Sequence, residues 1–255
     1  MPSSVPLLAL GVRVDVALPG EDAAILEPLV QGAWSRCRYA GPDPAALTLS
    51  VSAEPGSDVT GSGPEEVLDN LAMRINREVT RARAGELFMM HAACLADPVT
   101  GAAIALSAPS GTGKTTACVT LGRELGYLSD EVAGVAADGS LVPYAKPLSV
   151  IEPETTWRKS STSPDTLGLA PAPDAAHLAA VVLLERSADG PGEPEVETLP
   201  LLDSLAAMAG NTFQLARHAQ PLHTAAAHFR RVDGVRRVRY READSLMPLV
   251  REWLS

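Results

Sequence analysis

The stretch Ala108-Pro109-Ser110-Gly111-Thr112-Gly113-Lys114-Thr115 constrains this chain more than any other. It matches the phosphate-binding pattern G-x-x-x-x-G-K-[ST] at every specified position but the first, where alanine replaces glycine. An apolar run, Ala102 to Ser107, leads into it, and a helical stretch, Lys114 to Leu125, leads out toward Gly126. Strand, loop and helix in that order call for an α/β sheet. Gly111 and Gly113 let the backbone curl and aim N–H groups inward. Lys114 can reach β- and γ-phosphates, the Thr115 hydroxyl can ligate Mg²⁺, and the helix offers its positive end to the same anion. ATP and Mg²⁺ are therefore the expected cofactors, with Ser110 to Thr116 as the binding residues.

The composition sharpens this. The chain has 255 residues, a formal charge of -10 and only three lysines, Lys114, Lys146 and Lys159. Net acidity argues against general binding to nucleic acid or anionic membrane. No apolar run approaches the ~20 residues of a membrane span, and no basic residue precedes the apolar start, so a signal peptide is not expected. A hydrophobic content of 46% suffices for a large core. Three scattered cysteines, Cys37, Cys94 and Cys118, suggest reduced thiols in the cytoplasm.

Two regions are expected. In residues 1–86, Val12, Val14 and Val16 alternate with other residues, as do Leu47, Leu49 and Val51, which predicts two half-buried strands. A helix follows from about Pro64, with Ser62 and Glu65 spaced as a capping box. Val67, Leu68, Leu71, Ile75 and Val79 share its apolar face. Residues 87–255 open with a hairpin, Phe88 to Ala96 and Ala102 to Ser107. A strand at Tyr127 to Ser129 ends in Asp130-Glu131, and a second hairpin turns at Asp138-Gly139 as a two-residue type I′ turn. A buried strand is expected at Leu178 to Leu184, helices near 201–216 and 244–254, and a late strand at Arg236 to Tyr240. The fold class is α/β: a mixed sheet flanked by helices, behind a small α/β region.

Carboxyl ends of parallel neighbouring strands converge on one crevice, so Asp130 and Glu131 can face the loop's phosphates. One carboxylate can then take a proton from an attacking hydroxyl while the other holds Mg²⁺. A solvated acidic turn is the plain alternative. His91 lies on the strand before the hairpin, where a lone histidine is as readily a core residue. The basic positions between Arg230 and Arg241 suggest either a docking surface for acidic peptide or a solvated strand edge. Glu185 ends an apolar strand and is a weaker metal candidate. The loop glutamates Glu152 and Glu154 have no evident role. His177, His218, His223 and His228 lack metal-ligand spacing, and three of them read as surface residues.

Taken together, HAACLADPVTGAAIALSAPSGTGKTTACVTLGRELGYLSDE resembles the core of the HPr kinase/phosphorylase family, and most of all its smaller HPr-kinase-like members. The resemblance lies in a histidine on the strand before the loop, the loop itself, and an acidic pair after the next strand. It implies a P-loop kinase domain over 87–255 that phosphorylates a serine on a small protein or peptide. Asp130 would be the base, His91 would sit beside the transferred phosphoryl group, Lys114 would act catalytically, and Thr115 and Glu131 would serve the metal. Glu131 replaces the family's usual second aspartate, and the signature serving HPr recognition and phosphorolysis is not found. The family often assembles, which makes a homo-oligomer an expectation. A small-metabolite or sugar kinase, and a non-catalytic ATP-binding sensor or scaffold, are the other readings the loop permits.

Overall fold

The computed structural model describes residues 3–54, 56–109, 111–151 and 159–255. In chain order these form β1 (Ser3–Ala9), β2 (Val12–Leu18), α1 (Ala23–Ala33), β3 (Leu47–Ser50), α2 (Pro64–Ala82), β4 (Phe88–Ala96) and β5 (Ala102–Ser107). There follow α3 (Lys114–Leu121), β6 (Gly126–Ser129), β7 (Val132–Val135), β8 (Leu141–Val142), β9 (Leu148–Ile151), β10 (Lys159–Thr162) and β11 (His177–Arg186). The last elements are β12 (Glu195–Leu199), α4 (Leu201–Met208), β13 (Thr212–Phe213), α5 (Pro221–Arg231), β14 (Val235–Tyr240) and α6 (Met247–Leu254). The chain is mixed α/β. Among the described residues, no helix is long and apolar enough to cross a membrane.

The chain divides into two units, residues 1–82 with 144–168, and residues 83–143 with 169–255. The segment 144–168 was expected in the second region but belongs to the first unit. Its β9–β10 hairpin packs on α2, and Ser161 Oγ donates to Asp69 on that helix at 2.5 Å. Arg36 and Asp165 add an ion pair at 2.7 Å.

In the first unit, β1 and β2 form an antiparallel hairpin, and β3 pairs parallel to β2. The turn residues Leu10 and Gly11 both take positive φ, 52° and 74°, the requirement of a type I′ turn. Alternation buries Val12, Val14 and Val16 against α1 and α2. At the start of α2 the Glu66 carboxylate caps Ser62: it accepts from the Ser62 N–H at 2.8 Å and from the Ser62 hydroxyl. The hydroxyl and amide of Ser62 hold its carboxyl below the usual glutamate range.

The second unit is built on a nine-stranded sheet with the order β12-β14-β11-β5-β4-β7-β8, in which β6 and β13 also pair with β4. β11 runs parallel to both β5 and β14, while β4 runs antiparallel to β5, β6 and β7. One sheet face carries Phe88, Met90, Ala92, Cys94, Ala103, Ala105, Val181 and Val235. These pack with Met208, Ala225 and Phe229 of α4 and α5. The other face carries His91, Leu95, Leu106, Val182 and Leu184, alternate residues of the same strands. α3 covers this second face: Leu95 Cδ2 lies 3.3 Å from where a Cβ on Gly122 would stand. α6 lies there too, with Arg236 5.4 Å over the Trp253 ring.

Several local expectations change. α3 stops at Leu121, four residues short, because Gly122 closes it with its N–H on the Cys118 carbonyl. The expected 201–216 helix ends at Met208, and the chain then runs through a 3-10 turn into β13. At Asp138-Gly139 only Gly139 has positive φ, 95°, and the Ala136 N–H bonds to the Ser140 carbonyl at 2.8 Å. That is a three-residue loop with glycine in the left-handed position rather than a type I′ turn.

Candidate functional site

Lys114 opens α3, and Gly113 is the residue before its first turn, at φ 94°. Gly111 has φ 81°. Among the described residues beyond its chain neighbours, no heavy atom lies within 4 Å of a Cβ built on Gly111, and its positive φ is what favours glycine there. The loop is braced from inside, since the Thr112 hydroxyl donates to the Pro109 carbonyl at 2.6 Å. Ala108 is fully buried and lacks positive φ, so its replacement of glycine costs the loop nothing in backbone strain. Ser110 lies outside the described residues, as do Glu152 and Glu154. Lys114 and Thr115 are half-buried, and Thr116 is exposed one residue farther along the helix.

The middle of β4 organises what surrounds the loop. On one side of β4, Ala92 pairs with Ser107, the last residue of β5 before the loop. On the other side Cys94 pairs with Ser129, the last residue of β6, and His91 pairs with Val132. The Ala92 N–H donates to the Glu131 carbonyl at 3.1 Å. The Ser107 hydroxyl donates to the His91 carbonyl, also at 3.1 Å. The loop entry, His91 and the Asp130-Glu131 link therefore flank one another across a single strand. β5 and β6 run parallel but are not neighbours, as the convergence argument supposed. The antiparallel β4 separates them, and their carboxyl ends still reach the same end of the sheet.

His91 is half-buried on the α3 face, with its ring edge-on to Phe213 at 5.6 Å between centroids. Asp130 is 5% exposed, and the Tyr127 hydroxyl points at its Oδ1 from 3.4 Å. The Ser129 hydroxyl accepts the N–H groups of Glu131 and Val132 at 3.2 and 3.1 Å, fixing the turn that presents both carboxylates.

The arrangement suits a nucleoside triphosphate with Mg²⁺. The loop leaves open space beside Gly111, and oxygen donors (the Thr115 hydroxyl and two carboxylates) border one sheet end. Among the described residues no group of three or more histidine, cysteine, aspartate or glutamate side chains could hold a metal ion. Mg²⁺ fits such a setting, because it is commonly held by one or two side chains together with phosphates.

The chain is similar to a number of solved structures. One of them is the Hpr(Ser) kinase/phosphatase from Coxiella burnetii, at 12% identity and a TM-score of 0.33, over 65% of this chain and 92% of that one. So loose an overlap transfers neither fold nor activity. No family model matches the chain, and no curated protein does.

Other sequence candidates fall away from this place. Glu185 is held by Arg237 at 3.0 Å and Arg239 at 3.4 Å, so its carboxylate is already balanced. Arg237 also meets Glu197 at 2.8 Å. β14 is not a strand edge: it lies between β12 and β11, its Arg237 and Arg239 form a charge ladder with neighbouring glutamates, and its Arg236 lies over the Trp253 ring. Burial pushes the Cys37 and Cys94 thiols up to about 12, which removes both as nucleophiles. Lys146 is buried in the first unit, where its Nζ donates to the Pro147 carbonyl at 2.8 Å. His228 is not a surface residue: it is 5% exposed and stacks on Phe88.

Sequence reasoning missed Arg186 and Tyr240. β11 continues three residues past the position paired with Ser107, so its end runs alongside the loop. A Cβ on Gly113 would lie 3.0 Å from Arg186 Cδ and 3.5 Å from the Tyr240 hydroxyl. The only sequence signal was a ten-residue strand ending in a charge.

Proposed function

We propose that this chain is a cytoplasmic P-loop kinase that transfers the γ-phosphoryl group of ATP, with Mg²⁺, to a serine hydroxyl on a small protein or peptide. The supporting observation is the register across β4, which sets the loop entry, His91 and Asp130-Glu131 at one end of the sheet. In this reading Gly111 to Lys114 hold the phosphates through loop amides and the lysine ammonium. Thr115 and Glu131 hold Mg²⁺, which supplies charge neutralisation at the phosphate oxygens. Asp130 accepts the proton of the acceptor hydroxyl as that oxygen bonds to phosphorus and the bond to the ADP oxygen breaks. His91, on the α3 face beside the loop entry, contacts the phosphoryl group in transit. The residues act by positioning and electrostatics.

Incubation with γ-labelled ATP and candidate acceptors, read by mass spectrometry, tests this. Label should appear on a serine and should be lost with Lys114→Ala. Asp130→Asn should bind ATP but transfer about 10²–10⁴-fold more slowly, the usual worth of a general base. Transfer by Asp130→Asn at the wild-type rate would remove Asp130 as the base. Label on a metabolite would make the chain a small-molecule kinase, and ATP binding without transfer to any acceptor would make it a sensor.

A further inference from the structure

We propose that Arg186 and Tyr240, at the ends of β11 and β14, form a second wall of the phosphate site, with the Arg186 guanidinium a direct ligand of the nucleotide's phosphates. This rests on the reading of the loop as an ATP site. The two residues pair with each other across the parallel strands and project on the sheet face that α3 covers. Both reach Gly113, the residue that turns the loop into the helix. From the position of a Cβ on Gly113, Arg186 Nη1 is 3.9 Å away and the Tyr240 hydroxyl 3.5 Å.

Arg186 is held from behind. Its Nε donates to the Arg241 carbonyl at 3.0 Å, and its Nη2 lies 3.5 Å from the Glu242 carboxylate. Nη1 is then the guanidinium nitrogen directed toward Gly113. A planar, permanently charged fork fixed on two nitrogens is suited to receive a phosphate oxygen on the third.

Tyr240 supplies an independent sign. It is fully buried, yet its hydroxyl has no hydrogen-bond partner among the described residues. Burial also pushes its pKa up, so the group stays protonated as a donor. Buried donors are ordinarily satisfied, and a lone one beside a phosphate loop points to an acceptor that arrives with a ligand. A phosphate oxygen against Gly113 would meet both side chains, opposite the loop amides and Lys114.

Titration calorimetry with ATP and Mg²⁺ on the full chain tests this with Arg186→Gln, Arg186→Lys and Tyr240→Phe. Arg186→Gln should weaken ATP binding by about tenfold or more, the worth of a charged hydrogen bond. Arg186→Lys should recover part of the loss, and it carries the test if the glutamine variant does not fold. Tyr240→Phe should weaken binding several-fold, while its melting temperature without nucleotide stays at or above wild type, because it deletes an unsatisfied hydroxyl. A hydroxyl with a merely structural role would give the reverse pattern, lower melting temperature and unchanged affinity, and would overturn the assignment for Tyr240. Wild-type affinity in Arg186→Gln, with binding still lost in Lys114→Ala, would overturn the inference and leave the ATP site standing. Absence of ATP binding in the wild type would overturn both.

Discussion

His228 makes this protein's stability depend on pH. Its ring stacks on Phe88 at 4.9 Å and 7° between planes, and its Nδ1 has no hydrogen-bond partner among the described residues. Burial first, then the charges of Arg231 and His218, push its pKa down from 6.5 to about 4. The unfolded chain therefore takes up this proton before the folded one does. The stabilisation is complete above pH 6.5 and is lost as the pH falls toward 4. The expected loss is about 1–2 kcal/mol, below the full value of such a shift because the ring is not wholly sealed from water. Melting temperatures from pH 7.5 to 4 should fall in the wild type and fall less in His228→Phe, which keeps the stack and removes the titration; parallel curves would exclude His228 as the cause. This residue was hard to read because its helical face is built of Ala225 and Ala226, a stripe too weakly apolar to reveal a core. The backbone of the loop at 108–115 was legible for the opposite reason: its glycines answer to local geometry, and Gly111 and Gly113 both take positive φ.

At the scale of elements, Ser204 of α4 joins three pieces of chain. Its buried hydroxyl donates to the Leu199 carbonyl of β12 at 3.1 Å and accepts the Val235 N–H of β14 at 3.2 Å. Ser204→Ala would leave that buried N–H without this acceptor, and chemical denaturation should show a loss of about 1–3 kcal/mol. A change within measurement error would mean that the strands satisfy Val235 unaided. Elements whose signal is local were visible in the sequence: the β4–β5 hairpin flanks five turn residues, and the apolar run of β11 is unbroken. β12 was not visible, since its Glu195, Val196, Glu197 and Thr198 gain a role only against the arginines of β14. Nor could the sequence show that β4 changes partners at His91, which is what assembles the candidate site.

For the whole molecule, nucleotide should act on the second unit. If ATP with Mg²⁺ binds at the loop, a concentration of 100 times Kd should add about 2.7 kcal/mol of stability. Hydrogen exchange should slow in β4, β5, α3 and the end of β11, and Lys114→Ala should abolish both effects. Exchange that slowed only in the first unit would place the ligand elsewhere. The helix stop near Gly85 suggested a boundary after α2, but nothing signalled the return of 144–168 to the first unit, because that link depends on side chains such as Asp69 and Ser161 meeting across about ninety residues of sequence.

That return sets an order of assembly on the ribosome. The loop, its lysine and the acidic pair are all synthesised by residue 131, when β5 has only β4 beside it. The chain must then contribute β9 and β10 to the other unit before β11 can arrive, and β14 is the last strand to be made. A nascent chain thus carries the loop long before β11 and β14 stand beside it, and premature termination between residues 131 and 240 yields a chain with the loop and the acidic pair but without a complete β14.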